Sequence, residues 1–148
     1  RSSLVQLAVK DVEKYTAVLM QGSGTFCVEA VVTSTISDAG RLLVIANGAY
    51  GRRIADIARR CGIAVEVQDS GELAPPDLLK LKTALKSDNT ITHVAVVHCE
   101  TTTGMLISTE RAAMLLHARL VPVNPLIAIA RVTLLLDSTN NQPMANSV

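Results

Sequence analysis

The stretch Ala17-Val18-Leu19-Met20-Gln21-Gly22-Ser23-Gly24-Thr25-Phe26 joins one apolar run to the start of another. Residues 17–20 read as a buried strand, and Glu29, Ala30, Val31 and Val32 continue in a pattern that a helix can carry. Between the two segments, a pair of glycines flanks a serine and a threonine follows. Glycine lets backbone N–H groups turn inward, hydroxyls add donors, and a helix N-terminus carries partial positive charge. The turn is therefore either an anion site suited to one phosphate or an ordinary strand-to-helix connection with glycine for geometry. No Lys-Ser or Lys-Thr follows the glycines, so it is not a nucleoside-triphosphate loop. Cys27 stands where a dinucleotide fingerprint needs its third glycine, so nothing clamps a pyrophosphate.

Outward from this turn the chain alternates. Leu4, Leu7 and Val12 give residues 2–14 helical spacing, and residues 42–45 read as a strand. A helix follows over 51–60 with Ile54, Ile57 and Ala58 inward, stopping at Gly62. Residues 63–67 alternate like a strand, Pro75-Pro76 opens a helix to about Leu85, and residues 93–97 form a strand-like run. This order predicts an α/β fold, a mostly parallel sheet with flanking helices that binds ligands at the carboxyl ends of its strands. Near Leu120 the character changes: Pro122 and Pro125 precede an apolar stretch through Leu136 and a polar end. The expected division is 1–119 for the α/β unit and 120–148 for a divergent, apolar-then-polar tail.

Composition narrows the partners. The 148 residues suffice for one domain with a substantial core, and a net charge of +1 gives no reason to expect nucleic acid or a membrane surface. One Phe, two Tyr and no Trp argue against stacking platforms for single strands. Cys27, Cys61 and Cys99 are too few and too scattered for a disulfide scaffold or a zinc site, so no metal is expected and a cytoplasmic setting is. No apolar run reaches the roughly 20 residues of a membrane span. The chain opens on Arg1 rather than Met, which implies a natural start upstream.

Three predicted strand ends carry the chemistry. The first is the Gly-Ser-Gly-Thr turn. The second is Asn47-Gly48-Ala49-Tyr50-Gly51-Arg52-Arg53, where Tyr50 either offers an aromatic face to a flat ligand or covers the edge of the core. The third is His98-Cys99-Glu100-Thr101-Thr102-Thr103-Gly104, whose hydroxyls either meet a ligand or cap their own backbone. His98 and Cys99 do not form a nucleophile pair, because neighbours on an extended segment point to opposite faces. His93 and His117 lack metal-ligand spacing and read as structural.

GSGTFCVEA (22–30), NGAYGRRIADIA (47–58) and VVHCETTTGML (96–106) together resemble the class V, fold-type I pyridoxal-phosphate aminotransferases, and among them the 2-aminoethylphosphonate–pyruvate transaminase family. The resemblance runs over about residues 4–112. It implies the cofactor pyridoxal 5'-phosphate and transfer of the amino group of 2-aminoethylphosphonate to pyruvate, giving phosphonoacetaldehyde and alanine in phosphonate degradation. It also implies a homodimer in the complete enzyme. Ser23, Gly24 and Thr25 would hold the cofactor phosphate, Tyr50 would stack on the pyridine, and Thr101 would put a hydroxyl near the phenolic oxygen. His98 and Glu100 take a scaffolding role.

The family also needs a lysine that bonds the cofactor, placed after the third motif. Every lysine here (Lys10, Lys14, Lys80, Lys82 and Lys86) precedes it. No catalytic residue is therefore assigned, and the chain by itself is expected to be inactive. Asp137 resembles the aspartate that pairs with the pyridine nitrogen but falls several residues late. The expected reading is a partial large domain. An alanine–glyoxylate or serine–pyruvate type class V enzyme is the alternative, as is a non-catalytic cofactor-binding fragment.

Overall fold

Strand β1 (Arg41–Ala46) is buried from Leu42 onward, and its continuous apolar sequence follows from having both faces covered. The computed structural model describes residues 1–8 and 12–107. In it β1 is the middle of a three-stranded parallel sheet, with β2 (Ala64–Asp69) on one side and β3 (Ile91–Val96) on the other. Arg41 lies opposite Ala64 and Ala46 opposite Asp69, while Leu42 pairs with His93 and Ile45 with Val96.

Alternation along β1 sorts the core into two layers. Leu42 and Val44 pack with Val28, Val32 and Ile36 from α2 (Gly24–Thr35) and its C-terminal cap, and with Ile54, Ala55 and Ala58 from α3 (Ala49–Arg60). Leu43 and Ile45 point the other way, onto Leu81 and Leu85 of α4 (Leu78–Ser87). The chain leaves β1 through α3 on one face and returns from β2 through α4 on the other, as right-handed parallel crossovers require.

Local chemistry fixes the ends of these elements. Gly62 takes φ +75°, its amide donates to Arg59 O, and the Ile63 amide donates to Ala58 O. This left-handed closure stops α3 where the sequence predicts a stop. Helix α4 starts just after Pro75-Pro76, with the Asp77 carboxylate accepting the amides of Leu79 and Lys80. Gly51 brings α3 onto the sheet: a Cβ there would lie 2.7 Å from Ala46 Cα.

Two expectations are corrected. Residues 17–20 form no strand; Val18, Leu19 and Met20 are 76%, 62% and 42% exposed. A strand needs a neighbour for its backbone groups, and no described strand runs beside this segment. Residues 2–14 are not one α-helix throughout: α1 covers Ser2–Ala8, and a 3-10 turn covers Val12–Lys14. The predicted tail, with Pro122, Pro125 and Asp137, lies outside the described residues, as does His117.

Candidate functional site

Helices α2 and α3 each run back against the direction of the strands, so both N-termini lie at the carboxyl edge of the sheet. Ser23 caps α2: its hydroxyl accepts the Phe26 amide at 3.3 Å, and its carbonyl accepts the Cys27 amide. The amides of Gly24 and Thr25 come before the first helical hydrogen bond and are left for an outside acceptor. Among the described residues a Cβ on Gly24 would meet no atom within 4 Å, so none of their contacts demands glycine there. Gly24 and Thr25 are half-buried, and among the described residues no side chain bonds their amides.

Thr25 lines a groove between α2 and α3 together with Ala49, Arg52, Arg53 and Cys61. The groove follows α3 from Ala49 at its start to Cys61 at its C-terminal cap, and meets the Gly-Ser-Gly-Thr turn only at Thr25. Tyr50 is half-buried against the α2–α3 core layer, with the Arg53 guanidinium 5.3 Å from its ring centroid. One side of the ring serves the core, which keeps the edge-covering reading of Tyr50 alongside the stacking one.

The third motif folds into a small hairpin, with β4 (Cys99–Glu100) antiparallel to β5 (Met105–Leu106). Its hydroxyls differ in duty. Thr102 donates to Glu100 Oε1 at 2.7 Å, and Thr103 bonds the Glu100 carbonyl and the Met105 amide. Thr101 is exposed and makes no such bond to a described residue. The threonine singled out from the sequence is the one the turn leaves uncommitted. Glu100 is fully buried and accepts the Tyr50 amide at 3.1 Å, tying the second motif to the third.

Asn47 and His98 lie two residues beyond the last residue pair of β1 and β3. Asn47 is fully buried, and neither its Oδ1 nor its Nδ2 has a partner among the described residues; His98 Nδ1 is in the same position. Among the described residues no group of His, Cys, Asp or Glu is arranged to hold a metal ion, and the three cysteines are free. No described helix is long and apolar enough to cross a membrane.

Over 106 residues the chain is 54% identical to the 2-aminoethylphosphonate–pyruvate transaminases of Bacillus thuringiensis (strain Al Hakam) and Bacillus cereus (strain AH820). That match covers 72% of this chain and 29% of each relative, so the chain spans under a third of their length. The pyridoxamine–pyruvate aminotransferase of Mesorhizobium loti superposes with a TM-score of 0.61 at 25% identity, covering 66% of this chain and 25% of that one. This chain therefore has the fold of part of a fold-type I aminotransferase large domain. The alanine–glyoxylate aminotransferase of Nostoc sp. fits equally well, at TM-score 0.61 and 28% identity over 67% of this chain and 26% of that one. No protein-family model matches the chain.

Sequence reasoning missed the contacts that join the aminotransferase motifs. Glu100 was legible as scaffolding, but not as the partner of Tyr50. The ion pair of Arg52 with Asp69 left no local signal, because it joins a helix to a strand end through the fold.

Proposed function

We propose that this chain is cofactor-binding architecture of an aminotransferase that moves the amino group of 2-aminoethylphosphonate to pyruvate. The observation that carries the reading is the 54% identity over 106 residues, a span long enough to include all three motifs. In this reading the complete enzyme is a cytoplasmic homodimer that takes small substrates and works in phosphonate degradation.

The residues present fit pyridoxal phosphate. Ser23, Gly24 and Thr25 offer a hydroxyl-flanked helix N-terminus with space in front of Gly24, which suits a phosphate monoester. Tyr50 would stack on the pyridine once the Arg53 guanidinium over its ring swings aside, and Thr101 would give a hydroxyl for an oxygen on that ring. Pyridoxal phosphate, when bound, supplies the electron sink for breaking a bond at the amine-bearing carbon. These side chains supply no acid–base group of their own; their work is binding and orientation.

The test is a chimera in which residues 1–107 replace the matching segment of the Bacillus thuringiensis enzyme. Alanine formation from 2-aminoethylphosphonate and pyruvate is expected. A folded chimera that prefers alanine and glyoxylate, or that binds no cofactor, would overturn the reading.

A further inference from the structure

Helix α3 begins at a residue that cannot cap it. Gly48 occupies the N-cap position and makes no side-chain cap bond, having no side chain. The cap comes from another strand end. Glu100 Oε2 accepts the Tyr50 amide at 3.1 Å, while Oε1 of the same carboxylate accepts the Thr102 hydroxyl at 2.7 Å. The Glu100 carbonyl accepts the amides of Thr103 and Gly104, so the whole 101–104 turn is folded around this one residue.

Charge and space both suit the arrangement. Glu100 is fully buried, and its carboxylate meets the positive end of α3 and a hydroxyl donor. A Cβ at position 48 would lie 2.5 Å from Glu100 Cγ and 2.7 Å from Oε2. Any residue able to cap α3 from position 48 would collide with the group that caps it now. Gly48 and Glu100 are two halves of one device.

We propose that Glu100 is a positioning residue, which caps α3 in place of Gly48 and locks the head of α3 to the hydroxyl turn. Tyr50 and Thr101 are then carried by one carboxylate and move together. The consequence for cofactor geometry rests on the function proposed above; the coupling of the two segments does not.

The experiment compares the full chain with Glu100→Ala, Glu100→Gln, Gly48→Ser and the double variant Gly48→Ser/Glu100→Ala. Backbone amide exchange is read at Tyr50 and at residues 101–104, and added pyridoxal phosphate is followed by its induced circular dichroism. Glu100→Ala is expected to speed exchange about tenfold at Tyr50, the effect of losing a bond to a buried charged acceptor, and to speed it in the turn because the Thr102 hydroxyl loses its anchor. Glu100→Gln keeps an acceptor and should recover most of the protection. Gly48→Ser alone should loosen Tyr50 through collision. The double variant, freed of the collision and capped by serine, should re-protect Tyr50 while the turn stays loose and the dichroism stays weak.

Unchanged exchange at Tyr50 in Glu100→Ala, a change at Tyr50 without one in the turn, or a double variant no better than Gly48→Ser would each overturn the proposal. A wild-type chain with no induced dichroism counts against the cofactor reading, and the exchange data still decide the coupling.

Discussion

Arg52 Nε lies 2.7 Å from Asp69 Oδ2, joining the first turns of α3 to the last residue of β2. Arg52 also reaches Glu72 at 3.1 Å, and Asp69 Oδ1 accepts the Gly71 amide at 2.8 Å. One guanidinium thus holds the loop after β2 beside the second motif.

That pairing has an acid signature. The hydrogen bond from Arg52, and then the Gly71 amide, hold the Asp69 carboxyl below the usual carboxylate range. A folded-state pKa below the unfolded one adds stability above the unfolded value, about 3.9 for Asp, and loses it as pH falls through the folded one. Arg52→Gln should therefore flatten the dependence of the urea midpoint on pH below about 4. An unaltered acid slope in the variant would contradict the pairing.

His93 acts at a milder pH. Burial lowers its pKa, and its Nδ1 lies 2.8 Å from Thr92 Oγ1. The fold favours the neutral ring, so stability should decline as pH falls below about 6.5, where the unfolded ring takes up its proton. His93→Gln should remove this step and leave the Asp69 step in place, as read by chemical denaturation between the two ranges.

Two glycines should behave in opposite ways. Gly51→Ala forces a methyl to within 2.7 Å of Ala46 Cα and 3.0 Å of its Cβ, and overpacking of this kind costs about 1–3 kcal/mol. Gly24→Leu points into open space and should leave the urea midpoint unchanged or raise it, since Gly is the poorer helix former. The same Gly24→Leu change should abolish phosphate-ester binding by filling the space before the amides of α2.

The chain alone should form no alanine from 2-aminoethylphosphonate and pyruvate with added pyridoxal phosphate, beyond a protein-free control. Lys80, Lys82 and Lys86 are exposed on α4, which packs on the sheet face opposite α2 and α3. None of these three can bring an amine to the groove that Thr25 lines, so they cannot supply the acid–base assistance of about 10²–10⁴ that a positioned group gives. Turnover that survives removal of host transaminases would show that another group performs this step.

What the sequence made legible was local. The run through β1, the stop at Gly62 and the alternation of helix and strand each rest on a few neighbouring residues, whereas the order β2-β1-β3 is set by packing between distant segments. The run at residues 17–20 misled because apolar content says nothing about whether a pairing partner exists. The hydroxyl turn was visible as a motif, whereas its division of labour, with Thr101 open and Thr102 and Thr103 committed, depends on where Glu100 sits. The pairing of Gly48 with Glu100 was hidden for the same reason. Its only trace is an Asn-Gly helix start with no capping side chain and an unpaired acid at a later strand end.

In the function proposed above, the turn before α2, the start of α3 and the 98–104 turn together make one face for a phosphorylated pyridine. Titrating the chain with pyridoxal phosphate while following backbone amide resonances tests it most directly. Saturable shifts should appear together at Gly24, Thr25, Tyr50 and Thr101, with no covalent adduct on any lysine after borohydride. Saturable shifts that leave these four residues untouched, or a reduced adduct on Lys80, Lys82 or Lys86, would contradict it.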